Sequence, residues 1–240
     1  MDLTGNLVSF WELEEASGTR ADSKGSNSLS DNNTVTQAGG IIGNAALFTR
    51  ANSEWLQATS NSSTQIGDVD FTIVCWVYLN TVMDGTGTNF QMMIAEDDGT
   101  NRSFSIAQGS ASTAEFEWRV FRSGGSGICR SLSFTTPVAA TWYMLTCEYT
   151  SSGTTCGIAV NNGTVDSLSV GGAHISSTGD LFMGKRNSTG SEGYYDGRLD
   201  QVGLWTRLLN STEKSFLYNS GAGRAYSELV PDVILGQVMM

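Results

Sequence analysis

Short runs of alternating hydrophobic and polar residues recur along the chain, and turn-forming residues separate them. In the segment AEFEWRVF, Phe116, Trp118 and Val120 alternate with polar side chains, which is the pattern of a strand with one buried face. Asp98-Gly99 falls between two such runs and favours a hairpin. The intervals are too short for the helices of roughly 10–15 residues that βαβ units need. We predict strands at residues 7–11, 45–50, 54–59, 70–79, 90–96, 102–108, 114–121, 128–134, 142–150, 156–161, 164–170, 180–186 and 197–206.

One helix is predicted near the C-terminus, in the segment LNSTEKSFLYNSGAG. Asn210 is a favoured N-cap residue, and Glu213 follows three positions later, as in a capping box. Gly221 can end the helix in a left-handed conformation. The remaining pattern favours an all-β, antiparallel sandwich or jelly roll.

The tail over residues 225–240 follows this helix and carries a hydrophobic run, VILGQVMM. A hydrophobic run exposed to water favours association, so we expect the tail to dock on its own domain or on a neighbouring chain. No fixed-period repeat or linker divides the rest, which predicts one domain over residues 1–224. The candidate assembly residues are Val233, Ile234, Leu235 and Val238.

The chain is acidic: its 240 residues include 24 Asp and Glu against 13 Lys and Arg, a net charge of −11. Binding to nucleic acid or to an anionic membrane surface needs clustered basic residues, so we expect neither partner. No run approaches the roughly 18 apolar residues of a membrane span. The N-terminus also lacks the basic and apolar segments of a signal peptide.

The cysteines and the single histidine limit the available chemistry. Cys75 and Cys147 lie in hydrophobic strand runs, where a free thiol packs as a small hydrophobic group. With Cys129 and Cys156 they allow two disulfides, but no CxxC pair is present and we expect the reduced form. His174 lies in the loop-like segment GGAHISS, so we expect a surface or turn position rather than a catalytic base.

Several segments stand in an order that is typical of one family. They are SFWELEEASGTRADSKGSNS (9–28), IIGNAALFTRANSEWLQA (41–58), DFTIVCWVYLN (70–80), TWYMLTCEYTSSGTTCGIAVNNGTV (141–165) and DLFMGKRNSTGSEGYYDGRLDQVGLWTRLLNSTEKSFLYNSGAG (180–223). Over residues 7–224 the chain resembles the laminin-G-like branch of the concanavalin-A-like lectin/glucanase superfamily. The resemblance implies two antiparallel sheets in a jelly-roll sandwich. It does not fix a function, because this fold carries lectins, glycosidases, adhesion modules and virion surface proteins.

A structural calcium ion is one expectation. Asp200 shares a strand face with Val202 and Leu204, so it points inward if that face is the core face. Asp22 and Asn27 lie in an oxygen-rich loop with a glycine, as calcium loops require. The resemblance implies that this loop and strand are tied together, sometimes through calcium. The alternative is that Asp200 accepts backbone or arginine hydrogen bonds and Asp22 begins a turn.

Glu115 and Glu117 raise the question of glycoside hydrolysis. Glucanases of the resembled family place three acids on one strand, and two carboxylates at alternate positions share a face about 6–7 Å apart. Here Arg119 or Val120 stands where the third acid would be. The alternative is two solvent-facing glutamates between buried hydrophobic neighbours, and we expect no catalysis.

Sugar sites combine an aromatic platform with hydrogen-bonding side chains, and several loops offer both. The aromatic candidates also suit a core, and the acidic segment around Asp98 also suits a solvated hairpin turn. The candidate ligand-binding residues are Trp55, Asp97, Asp98, Asn101, Tyr194 and Tyr195.

From these observations we expect a non-catalytic adhesion or recognition module that binds a glycan, or a cell-surface or virion protein, through its rim loops. We also expect a homo-oligomer or copies on a larger assembly. The lysine-poor composition and the hydrophobic tail favour display on a virion surface, such as a phage decoration or fibre protein, and secretion is the alternative. A purely structural decoration subunit and a glycoside hydrolase are the alternative functions.

Overall fold

The computed structural model describes residues 1–84, 86, 90–109, 114–190 and 192–230. Within these ranges the chain forms fifteen strands and two short α-helices. The strands are β1 (Leu7–Trp11), β2 (Ser30–Asn32), β3 (Thr36–Gly39), β4 (Asn44–Phe48), β5 (Trp55–Ala58), β6 (Phe71–Leu79), β7 (Gln91–Asp97), β8 (Arg102–Gln108), β9 (Phe116–Arg122), β10 (Gly125–Arg130), β11 (Trp142–Thr150), β12 (Thr155–Val160), β13 (Asp166–Ser169), β14 (Asp180–Met183) and β15 (Gly197–Trp205). The helices are α1 (Ser211–Tyr218) and α2 (Tyr226–Leu229).

The strands form two antiparallel sheets that pack face to face. The eight-stranded sheet has the order β13-β12-β11-β6-β15-β4-β3, and β1 also pairs with β15. The seven-stranded sheet has the order β10-β9-β8-β7-β14-β5-β2. The register of β15 against β6 shifts between Asp200 and Gly203, and β15 pairs with β4 before this shift and with β1 after it. The predicted all-β sandwich with one short helix near the C-terminus is confirmed.

The main hydrophobic core lies between the two sheets, because alternate side chains of each strand point into the interior. Phe71 from the eight-stranded sheet contacts Phe104 and Trp118 from the seven-stranded sheet, each with ring centroids 5.8 Å apart. The buried indole of Trp118 donates to the carbonyl of Glu148 over 2.8 Å, so burial leaves no polar atom of this side chain without a partner.

A second hydrophobic cluster covers the opposite face of the eight-stranded sheet. Trp76 and Trp205 of this sheet pack with Leu3, with Leu217 of α1 and with Leu229 of α2. The indole of Trp205 donates to the carbonyl of Leu3 over 2.8 Å. Both described helices therefore lie on the eight-stranded sheet, and no described helix covers the outer face of the seven-stranded sheet. Among the described residues, no helix has the length and hydropathy to span a membrane.

The helix prediction is confirmed at its start and corrected at its end. Asn210 accepts from the backbone N–H of Glu213 over 3.0 Å, and the Glu213 carboxylate accepts in return from Asn210 N–H over 2.8 Å. Asn219, not Gly221, adopts the left-handed conformation that ends α1. A left-handed Asn is tolerated because its short polar side chain bonds locally, here to the carbonyl of Gly223 over 2.9 Å.

The described part of the tail docks on its own sandwich. Leu229 is fully buried, and its carbonyl accepts from Leu3 N–H over 3.0 Å. Tyr226 N–H donates to the carboxylate of Glu12 over 3.1 Å. The candidate assembly residues Val233, Ile234, Leu235 and Val238 lie outside the described residues.

The cysteine prediction is corrected for one pair. Cys129 of β10 and Cys156 of β12 form a disulfide across the sandwich, where their Cα atoms lie 6.3 Å apart, within the ordinary disulfide range. Cys75 and Cys147 are free and buried, as the hydrophobic runs predicted.

Candidate functional site

The outer face of the seven-stranded sheet is built by strand alternation. Leu56, Leu181, Phe104 and Trp118 enter the main core, so their neighbours along each strand project outward. The outward side chains are Trp55 and Gln57 of β5, Asp180 and Phe182 of β14, Met92, Ala95 and Asp97 of β7, Arg102, Ser105 and Ala107 of β8, Glu117, Arg119 and Phe121 of β9, and Arg130 of β10. We call this surface the outer face.

One end of the outer face is aromatic. The ring centroids of Trp55 and Tyr194 lie 6.3 Å apart, and both side chains are partly exposed. The Nζ of Lys185 lies 3.9 Å from the Trp55 ring centroid and 5.2 Å from that of Phe182, which is cation–π geometry. Beside Trp55, the Gln57 amide donates to the Asp180 carboxylate over 2.5 Å.

Gly193 allows the loop that carries Tyr194 to pass close to the aromatic end of the outer face. Gly193 has φ of +63°, and a Cβ built on it would collide with the ring of Phe90. Only glycine meets both conditions without strain. The turn thus brings the loop close over Phe90, whose ring in turn lies 4.8 Å from the guanidinium of Arg186.

The other end of the outer face carries arginines above buried carboxylates. Arg102 pairs with Asp97 over 2.6 Å, and their side chains are 23% and 1% exposed. Arg119 and Arg130 pair with Glu117 over 3.3 Å and 2.9 Å, and that glutamate side chain is only 2% exposed. The arginines are therefore the groups that a ligand would meet.

A crevice of about 40 Å³ lies between these two ends. It is lined by Phe90, Met92, Ser105, Ala107, Glu117, Arg119 and Arg186. Burial lowers the pKa of Arg186 to about 10, and the positive charge of Arg102 lowers it further while Asp97 opposes the change. The crevice is thus a small polar cleft between two guanidinium groups.

A wider depression of about 450 Å³ lies where the β7–β8 and β9–β10 hairpins end. Asn101, Phe121 and Arg122 line it, and the guanidinium of Arg102 lies 5.6 Å from the Phe121 ring centroid. Asp98 accepts from the backbone N–H groups of its own turn, which matches the alternative of a hairpin turn.

The structure therefore separates the predicted ligand-binding residues into four groups. Trp55 and Tyr194 lie together on the outer face, and Asn101 lines the hairpin depression. Asp97 is buried beneath Arg102 rather than open to a ligand. Tyr195 is the wrong choice, because it is fully buried and its hydroxyl donates to the carbonyl of Tyr78 over 2.8 Å.

Asp22 and Asn27 lie in a loop whose side-chain oxygens accept hydrogen bonds. Asp22 accepts from the backbone N–H groups of Phe10, Lys24 and Asn27 over 3.0–3.1 Å. The carbonyl oxygen of the Asn27 side chain accepts from Asn61 over 2.7 Å. These hydrogen bonds tie the loop to β1.

Asp200 is held elsewhere, by the loop between β3 and β4. One of its oxygens accepts from the N–H groups of Ile41 and Ile42 over 2.8 and 3.1 Å, and the other has no partner among the described residues. Burial raises its pKa to about 7. Asp200 shares no hydrogen-bond partner with Asp22 or Asn27, and the described residues contain no group of three or more His, Cys, Asp or Glu arranged to hold a metal ion.

Glu115 and Glu117 do not form a glycosidase pair. Glu115 precedes β9, and both oxygens of Glu117 are engaged by Arg119 and Arg130. The expectation that Glu117 faces solvent is also wrong, because these arginines cover it.

His174 is buried, not exposed as predicted. Its Nδ1 lies 3.1 Å from the carbonyl of Gly67, which fixes the proton on Nδ1, and the Ser103 hydroxyl then donates to Nε2 over 2.9 Å. Burial lowers the pKa of His174. Nearby, the carboxyl of Glu96 accepts from Ser177 over 3.0 Å, and burial raises its pKa to about 8. This network lies inside the sandwich rather than in an open site.

The comparisons with known proteins place this architecture in a family. Residues 50–213 match a family model described as the concanavalin A-like lectin/glucanases superfamily. The chain belongs to this superfamily, as the order of its segments indicated. Among curated protein sequences, none matches the chain.

Solved structures with the same fold include toxin binding domains and a domain of a carbohydrate-active enzyme. The binding domain of Paraclostridial Mosquitocidal Protein 1 superposes with a TM-score of 0.74 at 19% identity, covering 91% of this chain and 53% of that one. The binding domain of botulinum neurotoxin serotype C1 gives 0.68 at 12% identity, with 91% and 53% covered. Domain 4 of AbnA, an extracellular arabinanase from Geobacillus stearothermophilus, was solved with arabinotriose and gives 0.62 at 13% identity, with 87% and 96% covered. The chain thus spans about half the length of the toxin binding domains, and these likenesses show the fold alone.

Proposed function

We propose that this domain is a non-catalytic recognition module that binds a glycan through its outer face. The observation that carries the proposal is the pair of partly exposed rings, Trp55 and Tyr194, beside the charged side chain of Lys185. Aromatic faces stack on the apolar faces of sugar rings, and the adjacent Gln57 and Asp180 supply hydrogen-bonding groups for hydroxyls.

The position of Trp55 and Tyr194 on the outer face also supports glycan binding. The outer face is the sheet surface that no described helix covers, and its partly exposed side chains include Trp55, Gln57 and Arg119. The structural relatives include toxin binding domains and an arabinanase domain solved with arabinotriose, which is consistent with a recognition role on this fold.

The absence of catalysis is part of the proposal. A retaining glycosidase needs one carboxyl group to act as an acid and a second to attack the sugar. Glu117 is held by two arginines that occupy both of its oxygens, and its neighbour Glu115 lies outside β9. This arrangement favours binding over hydrolysis.

We also propose that the module is displayed in several copies on a larger assembly, such as a phage virion. The acidic, lysine-poor composition and the hydrophobic run after Pro231 support this proposal. A purely structural decoration role is the alternative, and it differs by requiring no glycan.

The test of glycan binding is a broad glycan array, followed by calorimetric titration of the best ligand with two variants. Trp55→Ala should weaken binding about tenfold or more, since a lost stacking contact of about 1.4 kcal/mol corresponds to a factor of ten. Trp142→Ala is the matched control: Trp142 is also partly buried and its ring centroid lies 5.4 Å from that of Tyr78, but on the eight-stranded sheet. The absence of any array ligand, or equal losses in both variants, would contradict the proposal.

A further inference from the structure

We infer that the hairpin depression is a second sugar site, and that it binds one sugar residue that carries a carboxylate. This rests on the proposed function, because the ligand of the module is taken to be a glycan. The depression is separate from Trp55 and Tyr194, since Phe121, which lines it, and Trp55 stand on strands four places apart in the seven-stranded sheet. At roughly 4.8 Å per strand, about 19 Å separates them, which is more than one sugar residue spans.

The depression has the size and the fixed lining of a ligand site. Its volume of about 450 Å³ lies within the roughly 300–1,000 Å³ of small-molecule pockets. Ile175 lines it, and the backbone N–H of this residue donates to the carbonyl of Phe121 over 3.1 Å. Arg122 donates from Nε to the carbonyl of Val170 over 2.7 Å and from Nη1 to that of Ser123 over 3.1 Å. Because these bonds fix the lining before a ligand arrives, binding requires little further ordering of the protein.

Arg122 brings to the depression a positive charge that no described carboxylate offsets. Both of its hydrogen bonds go to main-chain carbonyls, and it forms no ion pair with a described residue. Its Nη2 has no hydrogen-bond partner among the described residues, and Gly125 places no side chain over that nitrogen, since a Cβ there would lie 3.4 Å from it. A guanidinium with N–H groups still to be bonded is the preferred partner of a carboxylate.

The other charges near the depression are already balanced or directed elsewhere. Arg102 also lines it, but its Nε donates to the buried carboxylate of Asp97 over 2.6 Å. The carboxylate of Asp98 accepts from backbone N–H groups of its own turn over 2.6 and 2.8 Å. No described Asp or Glu lines the depression. The charge of Arg122 therefore remains, and one carboxylate on the ligand would balance it.

The rest of the lining suits the ring and the hydroxyls of a sugar. Hydrogen-bonding and apolar side chains both contribute to it, namely Asn101, Ser123 and Ser126, and Phe121 and Ile175. A sugar residue presents hydroxyl groups to the first kind and C–H groups to the second. The net charge of the chain is −11, so a small free anion is repelled by the protein as a whole. The contacts of the sugar ring supply the affinity that the charge alone lacks.

The test compares two probes that differ in one group. Methyl glucuronide carries a carboxylate where methyl glucoside carries a hydroxymethyl group. NMR titration of isotope-labelled protein follows the backbone amides of Gly124, Gly125 and Ser126, which line the depression. We expect the glucuronide to bind there at least tenfold more tightly than the glucoside, with affinity falling as salt rises. Trp55→Ala should leave this affinity within twofold of the wild type, because Trp55 lies outside the depression.

Variants of the lining then test the site itself. Arg122→Gln should lower the affinity for the glucuronide to that for the glucoside, and Arg122→Lys, which keeps the charge, should retain part of the difference. Ser126→Phe should abolish binding of both probes by filling the depression, since Ser126 pairs with Phe121 and shares its face of the sheet. Arg198→Gln is the matched control and should change nothing, because Arg198 also donates to a main-chain carbonyl, that of Gly39, but on the eight-stranded sheet. Melting temperatures within a few degrees of the wild type show that a variant is folded.

The outcomes separate the second site from the proposed function. Equal affinity for the two glycosides, a difference that survives Arg122→Gln, or no binding of either glycoside overturns the second site. Sugar-induced shifts confined to Trp55 and Tyr194 also overturn it, and they leave the proposed function standing. Binding of the glucuronide in the depression, by a protein that binds no glycan through Trp55, supports the second site and overturns the proposed function.

Discussion

Replacing Glu96 with glutamine should remove a large part of the pH dependence of stability. Glu96 is fully buried, one of its oxygens accepts from Ser177, and the other has no hydrogen-bond partner among the described residues. Burial raises its pKa from 4.5 to about 8, against the opposing effect of the hydrogen bond from Ser177. The neutral acid is therefore the form that the folded protein prefers at pH 7.

The sign of the effect follows from this raised pKa. Below pH 4.5 the carboxyl is protonated in both the folded and unfolded states, and it costs the folded state nothing. As pH rises toward 8 the unfolded chain has already ionised while the folded protein keeps its proton, so stability falls. Because one pKa unit corresponds to about 1.4 kcal/mol, the full shift sets an upper limit of about 5 kcal/mol on this loss.

Glutamine resembles the neutral acid in shape and keeps an acceptor for Ser177. Urea unfolding of the wild type and of Glu96→Gln at pH 5, 7 and 9 measures the difference directly. The wild type should lose a few kcal/mol more than the variant between pH 5 and pH 9, with similar slopes against urea. Parallel pH profiles for the two proteins would refute the assignment of a neutral buried acid at this position.

Three further predictions concern a helix cap, the tail and calcium. Asn210→Ala should cost about 1 kcal/mol and lower the melting temperature by about 2–4 °C, whereas Asn210→Gly should cost only a few tenths; equal losses would contradict the capping role. Truncation after Val230 should leave the melting temperature unchanged and reduce self-association measured by light scattering. Unchanged self-association would show that the tail takes no part in the interface between copies. Removing Ca²⁺ with a chelator should leave the melting temperature unchanged, because Asp22 and Asp200 are engaged separately by N–H donors. A Ca²⁺-dependent gain in stability of roughly 2.7 kcal/mol, the value for a site at 100-fold saturation, would contradict this prediction.

Most of the strands could be predicted from the local sequence pattern. Burial of one face of a strand makes hydrophobic and polar residues alternate, and this alternation is visible in the sequence. The strands at Leu7–Trp11, Arg102–Gln108 and Trp142–Thr150 begin and end where the pattern predicted. The pattern missed Ser30–Asn32 and Thr36–Gly39, which are short, polar strands at the ends of the two sheets. Strands with little buried surface leave no hydrophobic period to detect.

The candidate site was only partly predictable, because one residue of register decides which side chain faces out. Tyr194 and Tyr195 are adjacent and chemically alike, yet the first lies on the outer face and the second in the core. Their flanking loop has no alternating pattern that could assign them. The deciding contact is the hydrogen bond from the Tyr195 hydroxyl to a β6 carbonyl, which is distant in sequence.

The arginines on and beside the outer face escaped the sequence analysis for a related reason. Arg102, Arg119 and Arg186 come from β8, β9 and the loop after β14, and the sheet order brings them together. One signal was available: Arg119 and Arg130 occupy outward positions of neighbouring strands in the predicted hairpin. Aligning the two strands across Gly124 would have placed both near Glu117.

The most direct measurement of the central claim is an NMR titration of isotope-labelled protein with the tightest glycan from the array. We expect the largest amide shifts at Trp55, Phe182, Lys185 and Tyr194. Shifts concentrated instead on β6, on β11 or on helix α1 would show that the eight-stranded side carries the binding surface, and would contradict the account.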